Sequence, residues 1–373
     1  MNYLISGGGT GGHIFPAVSI ANAIRQLDSS ANILFVGALG RMEMERVPEA
    51  GYEIVGLPIR GFNRAQPWKN ISVLYDLARS LHQARRIVRK FGPDVAIGVG
   101  GYASGAAMKV AAWEGVPVLL QEQNGFAGVT NKLLRNDAAL ICVAYEGMEK
   151  FFPKDRILLT GNPVRQNLTE GSADRARTFF AEQTGIQLTA DRPTLLIIGG
   201  SLGARTINES ITAALPELAK RDIQVIWQTG KVYYEQCRRA YEQVQPKNII
   251  CTPFLSNMPD AYALADVVIS RAGASSISEL CLLGKPSVLV PSPNVAEDHQ
   301  THNAMALVNR DAAVLVRDAD ARDQLVRVAL ELLSDQSRCQ ALHENILKLA
   351  QTDSALRIAK EAIRLANGSL NRR

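Results

Sequence analysis

Apolar positions in this chain gather into short runs of strand length, at Tyr3 to Ser6, Asn32 to Val36, Asp94 to Val99 and Val116 to Gln121. Between these runs the apolar positions recur at helical spacing. Strand-like and helix-like segments that alternate in this way predict parallel sheets flanked by helices. The second half repeats the plan. TLLIIGGSLGA (194–204) mirrors the opening strand and its glycine turn, and PDVAIGVGGYASG (93–105) is echoed by ADVVISRAGASS (265–276). Each echo is followed by a further strand, in GVPVLLQEQN (115–124) and GKPSVLVPSPN (284–294). Two copies of one strand-turn-helix-strand order predict an α/β protein of two doubly wound domains.

Length agrees, since 373 residues exceed one ordinary core. The joint is expected at GNPVR (161–165), giving one domain over 1–163 and another over 164–351. A last helix, within 352–373, is expected to pack back on the first domain. Ligands of doubly wound sheets sit beyond the carboxyl ends of the strands. A cleft between Gly7–His13 and Gly199–Ser201 is therefore the expected place for chemistry.

The composition, 47% hydrophobic and 21% charged, is that of a globular chain. Five scattered cysteines without a CxxC pair read as reduced thiols. No signal peptide is legible, and no run reaches the roughly 18 apolar residues of a membrane span. The net charge of +5 is unevenly placed: Arg60 to Lys90 holds eight Lys or Arg and one acid, Asp76. Phe62, Trp68, Ile71, Val73, Leu74 and Leu77 are interleaved with these charges. That mixture suits an anionic membrane surface as well as it suits a solvated helix face. No nucleic-acid-binding module is recognisable.

Residues 6–18 read SGGGTGGHIFPAV. Gly7-x-Gly9-x-x-Gly12 satisfies the dinucleotide fingerprint, but the second strand ends VGALGR without the acid that would bind a ribose. An oxidoreductase is thus one alternative, and a non-catalytic nucleotide-sugar-binding module another. Either way, bare glycine turns at helix starts let backbone N–H groups approach an anionic ligand. His13 stands at the first helix start, where capping, general-base and acceptor-binding roles are open. EQN (122–124) ends a strand, Tyr102 lies in the GVGGYASG turn, and Glu279 lies one turn into the helix of SRAGASSISEL. A carboxylate there can accept from two ribose hydroxyls or complement the helix dipole. His299 and His302 lack a third ligand at metal spacing, and Asp318-Ala-Asp320 reads as a helix cap, so no metal is expected.

In this order, GGGTGGH, GGYASG, QEQNGFAGVTNK, GNPVR, GGSLGA, SRAGASSISE and DHQTHNA closely resemble the bacterial N-acetylglucosaminyltransferases that convert lipid I to lipid II. The resemblance runs from the first strand to about residue 310. It implies the GT-B fold, with two Rossmann-like domains facing across a cleft, the first for the acceptor and the second for UDP-GlcNAc. It implies inverting, metal-independent transfer of GlcNAc to the C4 hydroxyl of MurNAc-pentapeptide on undecaprenyl diphosphate, without a cofactor; another GT-B nucleotide-sugar transferase with a different acceptor is the alternative. Carried over by motif, Thr10, Gly11, Gly12 and Asn124 would approach the donor from the first domain. Arg165 and Ser201 would serve the diphosphate, and Phe254 and Leu255 would border the uracil. Ala274, Ser275, Ser276, Ile277 and Ser278 would form the helix end over the diphosphate, with Glu279 on the ribose and Gln300 on the sugar. Some relatives carry glutamine where His299 stands, which favours Gln300 as the donor contact. His13 is the first candidate for the base or for holding the acceptor, Glu122 the second base, and Tyr102 an acceptor contact. The resemblance also implies a peripheral enzyme on the cytoplasmic face of the inner membrane, docked by Phe62, Trp68, Lys69, Leu74, Arg85, Arg86, Arg89 and Lys90. Its implied partners are UDP-GlcNAc, lipid I, anionic phospholipid, and cell-wall synthesis and division proteins.

Overall fold

A computed structural model of the chain describes residues 1–60, 70–164, 166–200, 202–295 and 298–370. The chain divides into two compact units, Met1–Val164 with Gln351–Arg373, and Arg165–Ala350.

The first unit runs β1 (Asn2–Gly7), α1 (Gly11–Leu27), β2 (Asn32–Ala38), α2 (Glu43–Glu49), β3 (Glu53–Leu57), α3 (Asn70–Phe91), β4 (Val95–Gly100), α4 (Tyr102–Trp113), β5 (Val118–Glu122), α5 (Val129–Leu134), β6 (Leu140–Val143) and β7 (Ile157–Leu159). Its strands pair in the order β3-β2-β1-β4-β5-β6-β7, and every pairing is parallel. Successive side chains of a strand point to opposite faces, and β1 shows what this does. Leu4 is buried in one core with Ala103, Ala107 and Val110 of α4. Tyr3 and Ile5 are buried in the other, against Ile14, Ile20 and Ile24 of α1. Fully burying a side chain of this size stabilises by about 1.5–3 kcal/mol, so β1 anchors both layers.

The second unit runs α6 (Ala173–Thr184), β8 (Thr194–Ile198), α7 (Arg205–Leu218), β9 (Gln224–Gln228), α8 (Tyr234–Val244), β10 (Ile249–Thr252), α9 (Met258–Leu264), β11 (Val267–Ser270), α10 (Ala274–Leu283), β12 (Ser287–Leu289), α11 (His299–Val308), β13 (Val314–Leu315), α12 (Ala321–Ser334) and α13 (Gln336–Leu347). The strand order is β10-β9-β8-β11-β12-β13, again parallel throughout. Trp227 of β9 is fully buried, and its indole N–H donates to Asn208 Oδ1 at 2.9 Å.

Numbered within its own sheet, each unit has the order 3-2-1-4-5-6 from one edge. The two repeated motifs occupy equivalent places, one forming β4 and α4, the other β11 and α10. Between the first and fourth strands of such a sheet the following helices leave to opposite faces and open a crevice. The chain returns to the first unit through α14 (Ser354–Leu370), whose Ile358, Ala359, Ala362 and Ala366 are buried beneath Tyr3 and Ile5. Where the chain leaves and re-enters, Gly161 lies so close to Gln351 that a Cβ on it would overlap the glutamine. Arg357 Nη2 ties the return to Leu159 O at 2.7 Å.

Candidate functional site

In the first unit the carboxyl ends of β1, β4 and β5 lie side by side. After β1 the chain turns through Gly8–Thr10 into α1. The second turn, Gly100–Gly101, interlocks with it: Gly8 N–H donates to Gly100 O at 3.3 Å, and a Cβ on Gly101 would lie 2.5 Å from Gly8 O. Gly100 and Gly101 have φ of +99° and +92°, which other residues adopt only with strain. The half-buried His13 ring rests on Gly100, where a Cβ would come within 2.7 Å of its Cδ2. Its Nδ1 faces Thr10 Oγ1 at 3.3 Å. Tyr102, first in α4, is exposed. His13, Thr10 and Tyr102 thus belong to two turns that fix one another.

Glu122 ends β5 and is buried. One oxygen accepts from the Asn124 backbone N–H at 3.1 Å and its side-chain amide at 3.3 Å. The other accepts from Gly128 N–H at 3.0 Å and Asn131 Nδ2 at 2.9 Å. Burial pushes its carboxyl up, against the pull of those hydrogen bonds. Both oxygens are therefore engaged by the turn after β5 and the start of α5. Beside them runs a buried amide chain that joins two motifs distant in sequence. Gln123 Nε2 donates to Val99 O at 2.8 Å, Asn162 Nδ2 to Gln123 O at 3.0 Å, and Gln121 Nε2 to Asn162 Oδ1 at 3.0 Å.

In the second unit a cavity of about 590 Å³ opens among the carboxyl ends of β8, β11 and β12. The N-termini of α7 and α10 both meet it, and neither first turn carries an acid. Acids are otherwise favoured at such ends; at α10 none is present in the first turn, while at α7 the Asp318 carboxylate reaches in from a later loop. Arg271 lies in the wall and is mostly buried. Its Nη1 donates to Val290 O, Pro291 O and Asp318 Oδ1, while Asp318 Oδ2 accepts from Thr206 Oγ1 at 2.9 Å. Gln300 Oε1 accepts from Ser292 N–H at 2.9 Å, which turns the donating NH₂ end of the amide away from Ser292. Glu279 Oε2 accepts the Tyr262 hydroxyl at 3.0 Å.

Residues 3–143 match the glycosyltransferase family 28 N-terminal domain, and residues 194–361 match the glycosyltransferase family 28 C-terminal domain. The chain belongs to glycosyltransferase family 28. This family 28 enzyme is 59% identical over 98% of both chains to the "UDP-N-acetylglucosamine--N-acetylmuramyl-(pentapeptide) pyrophosphoryl-undecaprenol N-acetylglucosamine transferase" of Bacteroides thetaiotaomicron. It is 56% identical, over 97% of each chain, to the protein of the same name from Parabacteroides distasonis. Its fold matches the crystal structure of Acinetobacter baumannii MurG with a TM-score of 0.76 and 27% identity, over 97% of this chain and 99% of that one. Two Rossmann-like parallel-sheet domains of GT-B type are thus the fold of this family 28 chain, and sugar transfer is its reaction class.

Several expectations change on this structure. The Ile277 side chain is buried and its N–H already donates to Gly273 O at 3.0 Å, so the α10 helix end is built from Ala274, Ser275 and Ser276. Ser278 turns back to Ala274 O at 3.0 Å. Leu255 is buried, whereas Phe254 is exposed. Asp318 and Asp320 make no side-chain helix cap, and Asp318 pairs with Arg271 instead. Arg271, Tyr233 and Asp318 line the cavity in the family 28 fold without having been assigned there from sequence. Only Arg271 had a signal, inside SRAGASS. Arg165 and Ser201 lie outside the described residues, as do Phe62, Trp68 and Lys69 and the side chain of Leu74.

On α3, Arg85 and Arg89 straddle Glu114 at the end of α4, with Nε–Oε distances of 2.5 and 2.8 Å. The two guanidinium groups, Arg89 foremost, hold the Glu114 carboxyl below its ordinary range. Part of the expected positive charge is thereby neutralised. The neighbouring Trp113 is 60% exposed with Lys109 Nζ 5.8 Å above its ring, an aromatic–cation pair that the charge count passed over. No helix among the described residues is long and apolar enough to cross a membrane.

Proposed function

We propose that this enzyme transfers GlcNAc from UDP-GlcNAc to the C4 hydroxyl of undecaprenyl-diphospho-MurNAc-pentapeptide, with inversion, giving lipid II and UDP. The observation that carries the reading is the 59% identity, over 98% of both chains, to a transferase named for that reaction. The cavity of the second unit supports it, because two helix N-termini and a guanidinium suit a nucleoside diphosphate.

On this reading the acceptor oxygen bonds to the anomeric carbon as the bond from that carbon to the diphosphate oxygen breaks. His13 takes the hydroxyl proton, and the charge gathering on UDP is met by the starts of α7 and α10 and by Arg271. Tyr102 and the interlocked glycine turns hold the acceptor sugar. Thr10, Gly11, Gly12 and Asn124 border the donor sugar, Arg165 and Ser201 the diphosphate, and Phe254 the uracil. Gln300 donates to a sugar hydroxyl and Glu279 accepts from the ribose. Glu122 serves by fixing the loop that carries Asn124. The 1–163 region with the C-terminal helix is the acceptor domain, and 164–351 the donor domain.

The acceptor is a lipid, so we place the enzyme peripherally on an anionic membrane surface. Arg86 and Lys90, both exposed on α3, support such docking by charge complementarity, and the exposed Trp113 by its amphipathic ring.

The test is transfer of labelled GlcNAc from UDP-GlcNAc to a short-chain lipid I analogue with EDTA present. A β-1,4-linked product is expected. UDP-GlcNAc binding without transfer would sink the acceptor assignment, and absence of binding would sink the donor assignment.

A further inference from the structure

Glu43 opens α2 and is 1% exposed, yet it ends neither in solvent nor, among the described residues, in an ion pair. Its Oε2 accepts the Gly9 N–H at 2.9 Å. Its Oε1 accepts the Ala38 N–H at 3.1 Å, at the tip of β2. Two glycines make room for it. A Cβ on Gly37 would lie 2.7 Å from Glu43 Cγ, and a Cβ on Gly8 would overlap the carboxylate itself. Gly9, whose φ is +85°, presents its N–H toward that carboxylate.

In nucleotide-binding folds the N–H groups of a glycine turn at a helix start are what a phosphate binds. Here one of them is bound by the chain's own carboxylate. A phosphate at Gly9 would meet an occupied donor and a like charge. The acid that a dinucleotide site places on a ribose at the end of the second strand is replaced, at the start of the next element, by one turned inward.

We propose that Glu43 is a positioning residue for the transfer reaction: an internal anion that sets the Gly8–Thr10 turn, and through it the Thr10–His13 pair. It also occupies the Gly9 N–H, and the nucleotide diphosphate is left to the α7 and α10 cavity. The proposal rests on the reading given under Proposed function.

The experiment uses full-length Glu43→Gln and Glu43→Ala proteins, with kcat on the lipid I analogue and the Kd of UDP measured for each. Gln keeps the length but turns an NH₂ toward one of two N–H donors, and Ala vacates the site. The expected result is a fall in kcat of about tenfold for Gln and about a hundredfold for Ala, with UDP Kd within twofold of the parent. Acetate, at constant ionic strength against a chloride control, should restore the Ala variant severalfold and the Gln variant not at all. The proposal is overturned if kcat of the Ala variant stays within threefold of the parent. It is equally overturned if UDP Kd rises in step with the loss of kcat in both variants, or if acetate does no more than chloride. An Arg271→Ala protein separates the underlying reading: if its UDP Kd is unchanged, the cavity assignment fails whatever the Glu43 variants do.

Discussion

The Tyr262 hydroxyl donates to Glu279 Oε2 at 3.0 Å, from a tyrosine with no exposed surface. That contact fixes one carboxylate oxygen of the residue proposed to hold the ribose. Tyr262→Phe should therefore weaken UDP-GlcNAc binding by about 1 kcal/mol, about a fivefold rise in KM, with kcat little changed. A donor with a 2′,3′-dideoxyribose should lose this sensitivity. An equal penalty with both donors would show that Tyr262 supports only the core.

Glu122 offers a contrast between chemistry and architecture. Replacing it by Gln turns an NH₂ toward two N–H donors of its own loop, which should cost about 1–3 kcal/mol of stability. The expected signature is a lower Tm together with reduced kcat. A base without structural duty would instead lose kcat at unchanged Tm, so melting and kinetics on one preparation decide the matter.

Glu114 restrains two of the arginines proposed to face the membrane. Glu114→Gln should release their charge and strengthen binding to anionic vesicles severalfold at low salt. Neutralising Arg85, Arg86, Arg89 and Lys90 together should weaken it while sparing UDP-GlcNAc binding. Co-sedimentation with vesicles of graded anionic content reads both, and a Glu114→Gln protein that binds no better than the parent removes this face from consideration.

Asp260 contributes to the acid sensitivity of the second unit. Burial alone would raise its carboxyl, but Arg175, the Ser172 N–H at 2.7 Å and the Asn257 amide hold it below the usual aspartate range. A depressed folded value means that the stabilisation is complete above the unfolded pKa, near 3.9, and is lost as pH falls through the folded one. The parent should thus lose Tm steeply below about pH 4. Asp260→Asn should start a few degrees lower at pH 7 and fall less between pH 5 and 3. Parallel curves for the two proteins in thermal melts would contradict this.

The strands that face helices on both sides were legible because their apolar runs are long; β1, β2, β4 and β5 emerge within two residues of their expected limits. β3, β6 and β7 were not read. EIVGL is interrupted by glycine, and LICV and ILL are too short to be told from the end of a helix. The glycine turns were legible as turns, since few other residues tolerate their backbone. What they hold was not. Asp318 meets Arg271 across 47 positions and Glu43 meets Gly9 across 34, and nothing local in DAD or RMEME marks either carboxylate as turned inward. Such pairings exist only after the sheet has brought its strand ends together.

The return of α14 to the first unit governs the order in which the chain can be built. During synthesis residues 165–350 emerge as one continuous stretch and can close their own core. The sheet of the first unit waits, with Tyr3 and Ile5 lacking the alanine-rich cover of Ala355 to Ala366, until α14 has followed residues 165–350 out of the ribosome. The unit whose strands precede residues 165–350 is completed only after them.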